Sequence, residues 1–188
     1  YYFRGNHIPC PEPVCRGVEC RCSRYIEIWN NVFMEFDRHP GGSLEPLPAP
    51  SIHTSMGLER VTAVLQGHES NYDTDLFGPI LDEIGRLAGR KYSRSMSPDD
   101  VSMRVVADHS RSATFLIADG VIPSNEFRGY VLRKIMRRAM RHGMKLGITD
   151  VFLPKLVDVI ARDMGDGYPR LRANRDTVAG VARYEEER

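Results

Sequence analysis

Ile52-His53-Thr54-Ser55-Met56-Gly57-Leu58-Glu59-Arg60 is the stretch at which the 188-residue chain changes character. A short strand enters a turn at Gly57, and a helix leaves it carrying Arg60. Glycine permits close backbone approach at such a turn, and an arginine in the first helical turn can meet a phosphate. An ordinary strand-turn-helix corner has the same pattern, so by itself the stretch speaks to fold before function.

Upstream of it the chain is poor in helix. Seven of the twelve prolines, at 9, 11, 13, 40, 46, 48 and 50, fall in the first fifty residues. Proline removes a donor and clashes inside a helix, so turns and loops are expected around one or two strands. Tyr25 to Phe36 (YIEIWNNVFMEF) is rich in aromatic and β-branched residues and reads as a strand. Trp29 is expected to be buried in the sheet. Pro40-Gly41-Gly42 is a turn, and Leu44 to Ile52 reads as a loop leading into a short strand.

Downstream the apolar spacing becomes three and four. A helix is expected over Leu58 to Gln66, stopped by Gly67, and a second from about Asp73 to Ala88, capped by Gly89. Ser97-Pro98-Asp99-Asp100 supplies an N-cap hydroxyl, a proline at the first helical position and two carboxylates at the positive helix end. That third helix should run to about Ala118. A fourth covers Asn125 to Leu146, a fifth follows Thr149-Asp150, and a sixth runs from Pro169 to the end. The fold class is therefore α+β, with strands and loops in front and helices behind.

Composition is ordinary for a globular chain, with 41% hydrophobic and 27% charged residues, which excludes full-length disorder and a disulfide-dense miniprotein. No run approaches the length of a membrane span, and no secretory leader opens the chain, so a cytoplasmic protein is expected. The chain starts at Tyr1 rather than Met and ends without a helix stop, which reads as part of a longer polypeptide. The net charge of +1 hides an asymmetry. Residues 128–145 hold Arg128, Arg133, Lys134, Arg137, Arg138, Arg141 and Lys145 with no acid, so a +7 window balances a −6 remainder. Leu132, Ile135, Met136 and Ala139 form the core stripe of that helix, which puts Arg133, Arg137 and Arg141 opposite it. Such a face tracks phosphates or is simply solvated, and charge alone does not distinguish RNA from DNA.

These stretches also resemble a known family when taken together. Ile52 to Arg60 is similar to motif 3 of the class II aminoacyl-tRNA synthetases, in the alanyl form, whose core is written Asp-Thr-Gly-Met-Gly-Leu-Glu-Arg. Arg24-Tyr25-Ile26-Glu27-Ile28-Trp29-Asn30-Asn31-Val32-Phe33-Met34 resembles the strand before that motif. Val64-Leu65-Gln66-Gly67, the run Ser70 to Phe77, Ala107-Asp108-His109, Phe115 to Glu126 and Arg128-Gly129-Tyr130-Val131-Leu132-Arg133 follow in family order. Arg137-Arg138-Ala139 and Arg141-His142-Gly143 complete the series, which covers nearly the whole chain.

The resemblance implies the end of a class II antiparallel-sheet core over 1–70 and an incomplete helical tRNA-recognition domain over 71–188. It implies ligation of L-alanine to tRNA(Ala) through an adenylate made from ATP with magnesium. Arg60 would be the catalytic residue on the ATP phosphate, with Gly57 beside the nucleotide. Asn30, Val32 and His53 would line the amino-acid pocket. Asn125, Arg128, Arg133, Arg137, Arg138 and Arg141 would meet the acceptor stem. An alternative is a non-catalytic RNA-binding relative. A DNA-binding helical domain has only the charge to support it.

Three positions depart from the family. His53 stands where the family has the acid that anchors the substrate ammonium, which imidazole does not suit. Ser55 replaces a glycine, and Phe127 replaces a small or polar residue near the acceptor-stem contacts. Motifs 1 and 2 lie upstream in the family and outside these residues, so the rest of a parent chain would be needed for full activity. The four cysteines, Cys10, Cys15, Cys20 and Cys22, fit either a tetrahedral zinc site or loop thiols without a ligand. His109 is expected in helix packing or hydrogen bonding, and His142 as conditional charge beside the basic face.

Overall fold

The computed structural model describes residues 1–188 and divides into two units, Tyr1–Thr74 and Asp75–Arg188. In the first, β1 (Tyr2–Phe3) pairs antiparallel with β2 (Tyr25–Ile26), and the Phe3 and Tyr25 rings pack with centroids 5.0 Å apart. The cysteine-bearing loop runs between them. Arg24 ties that loop down, donating from Nε to the Ile8 carbonyl at 2.7 Å.

Next comes a long hairpin, β3 (Trp29–Arg38) against β4 (Leu44–Met56). Two expectations need correcting here. The strand from Tyr25 is broken at Glu27-Ile28, and the region from Leu44 is a thirteen-residue strand rather than mostly loop. Prolines at 46, 48 and 50 tolerate this because β3 is the only neighbour of β4. They also break the register, since Met34 faces Ser51 but Phe36 faces Pro46. The turn closes at Gly42, whose φ of 85° suits glycine.

From Gly57 the chain enters α1 (Leu58–Leu65) and then a 3₁₀ turn at Asn71–Asp73. Little in this unit is buried. Ile8, Cys20, Cys22 and Ala63 are its only buried apolar residues, while Trp29, Phe33, Phe36 and Ile52 are all more than half exposed. Trp29 is thus not a core residue. It lies on an uncovered face and donates from Nε1 to Thr54 Oγ1 at 2.5 Å.

The second unit holds α2 (Gly78–Ala88), α3 (Pro98–Ala118), α4 (Phe127–Lys145), α5 (Leu153–Met164), α6 (Pro169–Ala173) and α7 (Arg175–Glu186). Helix α2 starts five residues later than its apolar spacing suggests, because a 3₁₀ turn takes Asn71–Asp73 and Gly78-Pro79 opens the helix. The C-terminal helix is two helices, divided at Asn174. The caps read from sequence are present. Gly89 is left-handed at φ 62°, and the Ser97 hydroxyl accepts from the Asp100 amide at 3.2 Å. Ile84, Met103, Val106, Leu132, Leu156 and Ile160 form a fully buried core. A Cβ at Gly143 would run into the Phe152 ring, so glycine sets how closely α4 approaches the chain before α5. No helix is long and apolar enough to cross a membrane.

Candidate functional site

Side chains alternate along a strand, so paired residues of two strands share a face. The register Asn30↔Ser55 and Val32↔His53 puts these four residues on one face of the hairpin. Trp29, Asn31 and Phe33, with Met56, Thr54 and Ile52, occupy the other. One face is therefore small and mostly polar, and the other is mostly apolar. His53, twenty-one residues beyond Val32 in sequence, becomes its direct cross-strand neighbour.

The chain leaves that face through Gly57, whose amide donates to the Ile28 carbonyl at 3.1 Å. Its φ is −76°, open to any residue, and a Cβ there would only touch the Arg60 side chain at 3.4 Å. The backbone conformation at 57 therefore does not itself demand glycine. Arg60 lies in the first turn of α1. Its Nη1 donates to the Glu27 carbonyl at 2.9 Å and stands 4.0 Å from Glu27 Oε1. Half of its side chain remains exposed. The guanidinium is thus held beside the end of the hairpin with capacity left for an anion.

The cysteines gather as their spacing allows. Cys10 and Cys20 sulfurs are 3.5 Å apart, those of Cys15 and Cys22 are 3.7 Å apart, and all four lie within 4.8 Å of one another. All four are free thiols. Zinc–sulfur bonds of about 2.3 Å in a tetrahedron require sulfurs roughly 3.8 Å apart, so the cluster fits a divalent ion of that type. The Cys22 amide hydrogen-bonds the Cys20 sulfur and is the main cause that brings its pKa down to about 7.

In the helical unit, α4 presents Lys134, Arg137, Arg138 and Arg141 to solvent and buries Leu132, Met136 and Ala139. Arg133 differs from them. Only 12% of its side chain is exposed, its Nε lies 2.8 Å from Glu185 Oε1, and its Nη2 donates to Oε2 at 3.2 Å. It does not share the solvent face with Arg137 and Arg141, because helix α7 covers that flank of α4. Its Nη1 donates to Asn125 Oδ1. Arg137 is 3.8 Å from the same glutamate but stays 65% exposed.

Nothing local in the sequence marks Glu185. It is one acid in a run of three at the chain's end, and only opposite charge on α4 distinguishes it. Its neighbour Glu186 accepts from the amides of Phe152 and Leu153 and caps α5, and burial pushes its pKa up. His142, beside the basic face, takes up a proton less readily than a free imidazole. Burial, followed by Lys145 and Arg138, lowers its pKa, and its Nδ1 lies 3.1 Å from Ser102 Oγ. His109 pairs with Asp108 at 2.9 Å.

The family described as tRNA synthetases class II (A) matches residues 1–188. A protein of Anaeromyxobacter sp. (strain Fw109-5) named alanine–tRNA ligase is 53% identical over all of this chain and 21% of its own length. Relatives with the same name in Myxococcus xanthus and Nitratidesulfovibrio vulgaris are 55% and 51% identical over 99% and 98% of this chain. The chain spans 21% of the length of these curated relatives.

Proposed function

The chain belongs to the class II (A) tRNA synthetases, and from that premise we propose that it is a segment of an alanine–tRNA ligase. That enzyme activates L-alanine with ATP and magnesium and transfers it to the 3′ end of tRNA(Ala). The observation that carries this reading is the single hairpin face on which Asn30, Val32, His53 and Ser55 meet, leading through Gly57 to Arg60.

Each residue has a task on that face. The Asn30 amide offers donors and an acceptor to the substrate's polar atoms, and Val32 gives the pocket an apolar wall. A pocket for a methyl side chain excludes larger side chains by bulk, though missing methylenes give limited discrimination. Gly57 leaves room for the nucleotide. Arg60, anchored on the Glu27 carbonyl, neutralises phosphate charge that builds up as the adenylate forms. In the helical unit, Arg128, Arg137, Arg138 and Arg141 contact phosphates of the acceptor stem. Arg133 and Asn125 form a braced pair at its edge. The compartment is the cytoplasm, where the four cysteines hold a structural zinc ion rather than disulfides.

His53 favours a second reading, a relative that binds RNA without activating alanine. A carboxylate there would hold the substrate ammonium, and a neutral or cationic imidazole does not. Alanine-dependent pyrophosphate exchange by the parent protein separates the two. The ligase reading expects exchange, lowered at least about 100-fold by Arg60→Ala. Exchange that is absent, and restored by His53→Asp, supports the second reading. The 188-residue chain alone is expected to exchange far more slowly than intact relatives. Zinc measured by mass spectrometry on protein purified without chelator should approach one ion per chain, and a value near zero removes the metal.

A further inference from the structure

Six residues of α4 spaced by three and four, Phe127, Tyr130, Lys134, Arg138, Arg141 and Lys145, are all exposed and share one face. The stripe carries cations along most of its length and ends in two aromatic rings. At a rise of 1.5 Å per residue it spans about 27 Å. It contains no acid.

Phe127 is the anomaly on this stripe. It is 88% exposed, and its φ is +48°, a left-handed conformation that a bulky aromatic residue rarely adopts. It is neither packed against its own chain nor at ease in its backbone. The platform beneath it is braced all the same. The Ser124 amide donates to the Gly129 carbonyl at 3.1 Å, and the Ser124 hydroxyl donates to the Glu126 carbonyl at 2.9 Å. A Cβ at Gly129 would collide with Ser124 Oγ and the Ile122 carbonyl, so glycine lets the loop close on the helix. Asn125 is held by Arg133, which rests on buried Glu185. Phe127 also borders an open groove of about 460 Å³ lined by Val121, Ile122, Ser124, Asn125 and Arg128.

We infer that Phe127 stacks on an unpaired nucleobase beside an RNA duplex whose phosphates lie along the cations of α4. The inference rests on the reading that the chain binds RNA. Cations without acids complement a phosphate backbone, and an exposed aromatic face complements a base that has left its stack. The backbone that carries the ring is braced before binding, so less ordering is needed when the base arrives. Stacking is not ionic, which separates it from the arginine contacts in experiment.

The test uses the 188-residue chain and two RNA hairpins of identical stem, one blunt and one with a four-nucleotide 3′ overhang, titrated at several salt concentrations. Phe127→Leu should weaken binding to the overhang hairpin by about 5- to 100-fold without changing the salt slope, and should leave the blunt hairpin unaffected. Phe127→Trp should keep the affinity. Phe127→Gly suits the left-handed backbone, so it should melt no lower than the parent while losing the same affinity. Equal binding of the overhang hairpin by parent and Phe127→Leu overturns the inference, as does an equal loss on both hairpins. If the parent binds neither RNA, the RNA reading itself falls, and the inference with it.

Discussion

The β3–β4 hairpin and the helical unit use their apolar residues in opposite ways. Trp29, Phe33, Phe36 and Ile52 stand in solvent on the hairpin, whereas Ile84, Val106, Leu132, Leu156 and Ile160 are completely buried among the helices. Amphipathic helices that follow one another can close a core among themselves. A two-stranded ribbon has two faces and no second layer, and alone it is marginal in water. The helical unit is therefore self-sufficient, while the hairpin, which carries the small polar face, needs another surface for its stability.

The sharpest way to break this contrast is a pair of truncations. Leu156→Ala opens a cavity in the core and should cost about 2–5 kcal/mol, read by chemical denaturation. Phe33→Ala should change stability by less than about 0.5 kcal/mol, because the ring is already hydrated. Comparable losses from the two would mean that the hairpin is covered in solution.

A smaller effect comes from acid. Asp100 is buried, and burial alone would raise its pKa. Hydrogen bonds from the amides and hydroxyls of Ser93 and Ser95, at 2.6 to 3.1 Å, outweigh that and hold it at about 2. The folded pKa is below the unfolded one, so the stabilisation is complete above pH 4 and lost as pH falls towards 2. It amounts to about 2 kcal/mol. Asp100→Asn should flatten the acid limb of a stability–pH curve for the helical unit, and an unchanged limb would show that the serine loop does not grip the carboxylate in solution. Smaller still, Ser97→Ala removes the N-cap of α3 and should cost about 1 kcal/mol in the same denaturation experiment.

Legibility in the sequence follows the same division. Helices α1, α3, α4 and α5 were readable because their spacing and caps are local, as Ser97-Pro98 illustrates. The length of β4 was hidden by its three prolines, which argue for loop unless the strand has only one neighbour. The neighbours on the polar face were unreadable from spacing alone, because the pairing of Val32 with His53 depends on where the hairpin turns. The basic window was obvious as charge, yet the sequence treated Arg133 like Arg137 and Arg141. Only the return of α7 against α4 distinguishes them, through Glu185, fifty-two residues away. Phe127 was visible as a departure from the family, but its left-handed backbone was not.

Salt dependence is the most direct test of the cationic face of α4 as an RNA contact. Binding of the 188-residue chain to the tRNA(Ala) acceptor stem should weaken steeply as salt rises. Replacing Arg137, Arg138 and Arg141 by alanine should reduce the log–log slope by about 2 to 3, since each phosphate contact contributes about 0.7–0.9. Arg133 should be left intact in that experiment, because removing it would strand buried Glu185. A slope unchanged by the triple substitution, or duplex DNA bound as tightly as the acceptor stem, would contradict the assignment.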